Sequence, residues 1–182
     1  MQKVFIGLLF LFCTTQLHAQ SRKKPSNNFP ESFIGNWKGE IKWHKIAKDT
    51  PQIIKMQLRV QPADSVGHYT WHLIYGEGNK DDRPYILKPV DIKKGHWIVD
   101  ERNGILIDQY YIGNRFFGAF TVQSKTIISQ FWREGNKLVV EFYAATAKPV
   151  STTGLNTEDS PIVNSYGVDA YQRAELIRIT KL

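Results

Sequence analysis

The strongest constraint on the fold of this chain is an alternation of apolar and polar side chains with a period of two residues. Trp37, Ile41 and Trp43 alternate with polar and charged residues, and residues 54–61 and 68–75 repeat the pattern. This period is typical of a strand with one buried and one solvated face. Residues 20–182 contain no stretch with a 3.6-residue period over three helical turns. The sequence therefore predicts an all-β protein.

Short turns between the apolar runs indicate how the strands are joined. Lys94-Gly95, Asn103-Gly104, Gly113-Asn114 and Gly135-Asn136 carry residues that tolerate positive φ. Because connections this short join antiparallel neighbours, they predict an up-and-down meander. About 8–10 strands are enough to close into a barrel without free edges. We place strands near 34–45, 52–62, 67–76, 84–92, 95–101, 104–112, 115–123, 125–134, 137–146 and 172–181.

The first 19 residues have the composition of a signal peptide. Lys3 precedes an apolar run over residues 4–13, and Ala19 is the small residue needed at a cleavage site. The apolar run is shorter than the roughly 20 residues that span a bilayer. We predict that residues 1–19 are cleaved and that the mature chain is exported, to the periplasm or the medium, without a transmembrane segment. Cys13 is the only cysteine, so the mature chain has no disulfide.

The rest of the chain divides by composition. Residues 20–32 are polar, basic and rich in breakers, which predicts a flexible leader, and residues 33–182 form a single barrel domain. Residues 147–170 are rich in Ser, Thr, Gly, Asn, Asp and Pro and predict a long loop, either a lid over the barrel or a surface excursion. The formal net charge is +7. With no basic helix and no RNA-binding signature, we predict no nucleic-acid partner.

Gly35-Asn36-Trp37, at the start of the first strand of a ten-strand meander, resembles the Gly-x-Trp signature of the lipocalins and the wider calycin superfamily. In that superfamily the Trp plugs the closed end of the barrel, and an Arg from near the last strand packs across its ring. The resemblance implies a lipocalin-like barrel with a structural plug of Gly35, Trp37 and Arg178, or Arg173 in place of Arg178. The nitrobindin-like calycins hold haem through a C-terminal His, but no His follows His96 here.

Large aromatic residues share the strand face of Trp37. A barrel of eight or more strands encloses a space that side chains fill or leave open for one small ligand. Rings with a few hydroxyls are typical of a cavity for an apolar ligand. Our first hypothesis is therefore a non-catalytic, exported protein that binds a small hydrophobic or amphipathic molecule, without a cofactor. The predicted ligand-binding residues are Trp71, Tyr75, Tyr85, Trp97, Tyr111, Phe116, Phe120, Phe131 and Phe142.

The outer faces support a second hypothesis, an interaction module with a packed core. The strands over residues 104–143 are apolar on both faces, as in Phe116-Phe117 and Val139-Val140. A wall of this kind needs a cover, either the 147–170 segment or a second copy of the chain in a homodimer. The outer face of the first two strands instead carries a set of basic residues, Lys38, Lys42, His44, Lys55 and Arg59.

A third hypothesis is a barrel enzyme, an isomerase or a haem-dependent protein. Asp108 lies between apolar neighbours, where burial would raise its pKa and fit it for acid-base chemistry. The other interpretations are a surface Asp among packed neighbours, or a partner for Arg115 or Arg133. Glu141 is predicted to point outward and to solubilise the wall.

The histidines do not form a metal-binding pattern. His68 and His72 share one strand face, but four residues of strand separate them by about 13 Å, too far to bind one ion together. We therefore predict no metal site.

Overall fold

The computed structural model describes residues 28–179. Ten of its strands form a closed antiparallel barrel in the order β1-β12-β9-β8-β7-β6-β5-β4-β3-β2. The predicted up-and-down barrel is confirmed. The strands are β1 Gly35–Lys45, β2 Gln52–Val60, β3 Tyr69–Tyr75, β4 Asp81–Asp91, β5 His96–Asp100, β6 Leu106–Ile112, β7 Arg115–Val122, β8 Lys125–Glu134, β9 Lys137–Thr146, β10 Ser151–Thr153, β11 Val163–Ser165 and β12 Val168–Arg178. Three short 3₁₀ turns cover Glu31–Phe33, Glu77–Asn79 and Ile92–Lys94.

The turn between β6 and β7 illustrates why consecutive strands pair. Gly113 and Asn114 both have positive φ, 55° and 66°. Two such residues form a two-residue hairpin turn whose twist matches that of the strands it joins. Ile112 and Arg115 therefore become direct partners across the β6–β7 ladder.

Alternation along the strands separates the inner from the outer wall. In β1, Trp37 and Ile41 are buried while Lys38 and Lys42 are exposed. The inward side chains of the strands join one hydrophobic cluster. Among residues 28–179, no helix has the length and apolar character needed to cross a bilayer.

The 147–170 region differs from its prediction. Residues 151–153 and 163–165 pair as the hairpin β10–β11, and β12 begins at Val168 rather than near residue 172. Both faces of the hairpin are exposed, so its strands lack the apolar alternation that identified the others. They pair through the backbone, and Thr152 donates a hydrogen bond to Asn164 Oδ1 at 2.7 Å. A register shift between Val168 and Ala170 breaks the alternation at the start of β12.

The predicted leader, residues 20–32, is described in part. Residues 28–32 fold against one end of the barrel, Pro30 is buried, and Ser32 N–H donates to the Asn28 carbonyl at 2.8 Å. The ring of Phe29 packs against the core cluster. We call residues 28–34 the strap. The predicted signal peptide, residues 1–19, and residues 20–27 lie outside the described residues.

Candidate ligand-binding site in the barrel lumen

The lumen has a buried end and an open end. At the buried end, the floor, β1, β3, β5, β7 and β9 begin, and most inward residues are almost inaccessible to solvent, although Tyr69 and Tyr111 are partly exposed. At the opposite end, the mouth, inward residues are only partly buried. The floor contains Phe33, Trp37, Val60, Trp97, Phe116, Leu138 and Leu176. The mouth is lined by Trp43, Ile54, Tyr75, Tyr85, Phe120, Ile127, Phe142, Ala144 and Gln172.

Trp37 seals the floor, with no exposed surface. Its Nε1–H donates to the Phe33 carbonyl at 2.7 Å. The Arg178 guanidinium carbon lies 4.8 Å from the centre of the Trp37 ring, and Arg178 donates to the Ile34 carbonyl at 2.7 Å. Gly35 makes room for it, since a Cβ there would lie 2.9 Å from Arg178 Nε. The cation therefore covers the indole face and ties it to the strap.

Arg133 is a second cation on the plug, and the sequence analysis missed it. Its guanidinium carbon lies 4.4 Å from the centre of the Trp37 ring. It donates to the carbonyls of Ser32, Gly135 and Lys137 at 2.7, 2.8 and 3.0 Å. Burial and the neighbouring Arg178 lower the pKa of Arg133. Arg133 is thus committed to the floor and does not pair with Asp108. Arg173, the other residue considered for the plug, pairs with Glu141 instead.

Phe29 of the strap lies among the rings that were predicted to bind ligand. It stacks on Phe116 and Tyr111, with ring centres 4.5 and 4.8 Å apart. Its contacts with Phe33, Trp97 and Trp71 are edge-on, at 5.1, 5.3 and 6.4 Å. The predicted ligand-binding residues Trp97, Tyr111 and Phe116 therefore pack around a residue of the chain itself.

The remaining predicted rings line the middle and the mouth. Phe131 is edge-on to Trp71 at 5.1 Å and to Phe142 at 5.7 Å. Phe120 lies two residues beyond Gly118 on the same face of β7. Phe131 is only 3% exposed, whereas Phe120 and Phe142 are partly exposed apolar rings above the packed floor.

Tyr75 and Tyr85 add hydroxyl groups near the mouth. Burial raises the pKa of Tyr75 far above its usual value, and it also raises that of Tyr85. Both hydroxyls therefore stay protonated at physiological pH. The neighbouring cation, Arg83, lies 5.1 Å from the Tyr75 ring centre and is neutralised by Asp81, to which it donates two hydrogen bonds at 2.9 and 2.6 Å.

Polar inward residues were missing from the prediction. Gln109 is 4% exposed and Ser129 is 3% exposed. Each faces Gly118 across a ladder, and a Cβ on Gly118 would lie 2.2 Å from Gln109 Nε2. Gly118 therefore provides the space that the Gln109 amide occupies. Gln109 Oε1 and Trp43 Nε1 are buried without a hydrogen-bond partner.

Trp43 also borders a groove at the turn between β1 and β2. The groove has a volume of about 300 Å³ and is lined by Trp43, Lys45, Lys48, Thr50, Pro51 and Gln52. Lys45 Nζ lies 3.7 Å from the centre of the Trp43 ring. The rim of the mouth thus carries an exposed cation over an indole.

Asp108 and the histidines lie away from the lumen. The Asp108 side chain is 63% exposed on the outer wall, and His96 Nε2 hydrogen-bonds it at 2.6 Å. Its apolar neighbours on β6 share this exposed outer face, so Asp108 is not buried. Its partner is His96, and it does not pair with Arg115 or Arg133. His44 and His72 also lie on the outer wall, and His68 precedes β3. Among the described residues, no group of three or more His, Cys, Asp or Glu side chains could hold a metal ion.

Glu141 points outward as predicted, but it does not solubilise the wall. Its side chain is 8% exposed. Burial alone would raise the pKa of Glu141, yet hydrogen bonds from Arg173, Tyr171 and Tyr143 outweigh burial and hold that pKa below its usual value. The carboxylate is the centre of an outer-wall network.

The other outer surfaces are more exposed. Leu106, Ile112 and Ile128 remain uncovered. Because the β10–β11 hairpin is itself exposed, it does not supply the cover considered for this wall. In the basic set on β1 and β2, Lys55 pairs with Glu77 at 2.7 Å.

The fold has a counterpart among solved structures. It is similar to the crystal structure of a protein of unknown function from the DUF3598 family of Nostoc punctiforme, with a TM-score of 0.57 and 10% sequence identity. The similarity covers 81% of this chain and 48% of the other, so this chain spans about half the length of that protein. At this identity the likeness concerns the fold alone. No family model matches the chain, and no curated protein does.

Proposed function

We propose that this protein is an exported, calycin-like barrel that binds one small hydrophobic or amphipathic molecule in the mouth half of its lumen, without catalysis. The observation that carries this proposal is the partial exposure of inward aromatic rings at the mouth, above a floor whose central residues are almost completely buried. Solvent therefore reaches the mouth end of the lumen, which the side chains there do not seal. A ten-strand wall is wide enough to leave such a space.

The lining supports an amphipathic ligand. Phe120 and Phe142 present apolar surface, while Tyr75 and Tyr85 have hydroxyls that stay protonated and can donate, since burial raises the pKa of both. Burial of about 200 Å² of apolar ligand surface contributes about 5 kcal/mol, at about 25 cal/mol per Å². The fixed rings of a closed barrel lose little further freedom on binding.

A filling substitution tests the proposal. Ala144 lies inward at the mouth, opposite Ile127 and Ala170. Ala144→Phe would occupy the space and is expected to abolish binding of a neutral naphthylamine probe, measured by probe fluorescence. Ala119→Phe places the same ring on the exposed outer wall and should bind like the unmodified protein. Native mass spectrometry of protein purified from its own host is expected to show a bound small molecule. If the probe binds Ala144→Phe unchanged, the mouth is not the site.

The exposed apolar wall favours a second candidate, association of two copies of the chain. Leu106 and Ile112 on β6 and Ile128 on β8 are exposed apolar residues in the wall over residues 104–143. A homodimer through this wall would remove them from water. Sedimentation of the unmodified protein and of Ile128→Lys tests this candidate. An unmodified protein that is dimeric, with a monomeric Ile128→Lys variant, supports it. An unmodified protein that is monomeric at all concentrations excludes it.

A further inference from the structure

The polar inward residues follow one row around the lumen. Direct partners across the ladders run Gln109–Gly118, Gly118–Ser129, Ser129–Phe142, Phe142–Gln172 and Gln172–Trp43. This sequence crosses β6, β7, β8, β9, β12 and β1. Strands tilt in a closed barrel, so a row perpendicular to them climbs obliquely. The row rises from Gln109, beside Trp97 of the floor, to Trp43 at the rim.

Both ends of the row carry a buried polar atom without a hydrogen-bond partner. At the lower end it is Gln109 Oε1, an acceptor, and at the upper end it is Trp43 Nε1, a donor. A buried polar atom without a partner destabilises a fold, so its presence requires an explanation. The Gln109 amide fits in this position only because residue 118 is glycine, since a side chain there would collide with the amide. An acceptor placed this way fits a ligand that brings a donor.

The arginine side chains near the lumen already have ion-pair, ring or hydrogen-bond partners. At the mouth, Arg83 pairs with Asp81. At the floor, Arg133 and Arg178 stack on Trp37 and donate to strap or turn carbonyls. A carboxylate taken deep into the lumen would lose its hydration without gaining a counter-ion.

We infer that the lumen selects an uncharged amphipathic molecule with a hydroxyl group, whose hydroxyl donates to Gln109 Oε1 while its apolar part lies against Phe120 and Phe142. This inference rests on the proposed function and specifies its ligand class. The opposite orientation would put an anionic head group at the rim beside the exposed Lys45. The two orientations predict opposite preferences between an alcohol and the acid of equal chain length.

The experiment compares dodecanol with dodecanoate in displacing the neutral naphthylamine probe from the unmodified protein. We expect dodecanol to bind at least about tenfold more tightly than dodecanoate, the ratio for one lost hydrogen bond plus desolvation of the charge. Gln109→Leu keeps the size of the side chain and is expected to lower dodecanol affinity about tenfold. Gln57→Leu, a matched substitution on the outer wall of β2, should leave both affinities unchanged.

The outcomes separate the two proposals. Tighter binding of dodecanoate, lost in Lys45→Gln, would overturn the inference and establish the opposite orientation. Equal binding of the two compounds, or dodecanol affinity unchanged in Gln109→Leu, would also overturn it while leaving lumenal binding intact. If neither compound nor the probe binds the folded unmodified protein, the proposed function fails together with the inference.

Discussion

Removal of the Phe29 ring tests whether the strap is an integral part of the core. Phe29→Ala removes one aromatic ring from the floor. This ring stacks on Phe116 and Tyr111 and makes edge-on contacts with Phe33, Trp97 and Trp71. A buried Phe→Ala substitution costs about 3–5 kcal/mol, which combines lost transfer energy with a residual cavity. Phe29 is only partly buried. We therefore expect the free energy of unfolding to fall by about 2–4 kcal/mol.

Urea unfolding followed by tryptophan fluorescence measures this loss, since Trp71 and Trp97 border the ring. For a chain of this size each kcal/mol lowers Tm by about 2–4 °C, so Tm should fall by about 4–16 °C. Tyr166→Ala removes an exposed ring from the segment next to β12 and should change stability by less than about 0.5 kcal/mol. Toluene should partly restore Phe29→Ala, because an apolar cavity takes up an aromatic molecule. A loss below about 1 kcal/mol would show that the strap is not part of the core.

Three further perturbations address the plug, the outer network and the polar row. Arg133→Ala should lower the free energy of unfolding in urea by about 2–3 kcal/mol, because three carbonyls lose a donor and Trp37 loses a cation over its ring. A decrease below about 1 kcal/mol would contradict the role of Arg133 at the floor. Since the pKa of Glu141 is lowered in the folded state, its contribution is present above the usual Glu pKa and is lost as pH falls through the folded value. Unfolding of Glu141→Gln between about pH 5 and pH 3 should therefore depend less on pH than that of the unmodified protein, and an unchanged slope would refute this. Gln109→Leu should raise stability by about 1–2 kcal/mol, as it removes an unpartnered buried oxygen, and a loss of stability would show that the amide has a partner.

Much of the barrel follows from local pattern. Alternation along each strand and glycine or asparagine in the turns identified all ten barrel strands, because the side-chain period of a strand forces one face inward. The same parity places Tyr111 and Phe116 on the inner wall, where the structure has them. The β10–β11 hairpin was missed because neither of its faces is buried, so no pattern marks it.

Two parts of the site that were not predicted, Phe29 and Arg133, depend on tertiary contacts. Phe29 stands alone among polar and breaker residues, and nothing local shows that its ring enters the floor. Arg133 has the appearance of a surface cation at the end of a strand, and only closure of the barrel brings it to Trp37. The inward position of Gln109 could have been predicted, because Gln109 shares a strand face with Tyr111. The predicted ligand-binding residues are all aromatic, although the same alternation also places Gln109 and Ser129 inward.

The continuous wall and the plugged floor have a kinetic consequence. Any molecule held above Phe29 has one direction of approach and the same direction of departure, past the rings at the rim. Residence time would then depend on how often Phe120 and Phe142 move aside, and two ligands of similar affinity but different width would exchange at very different rates.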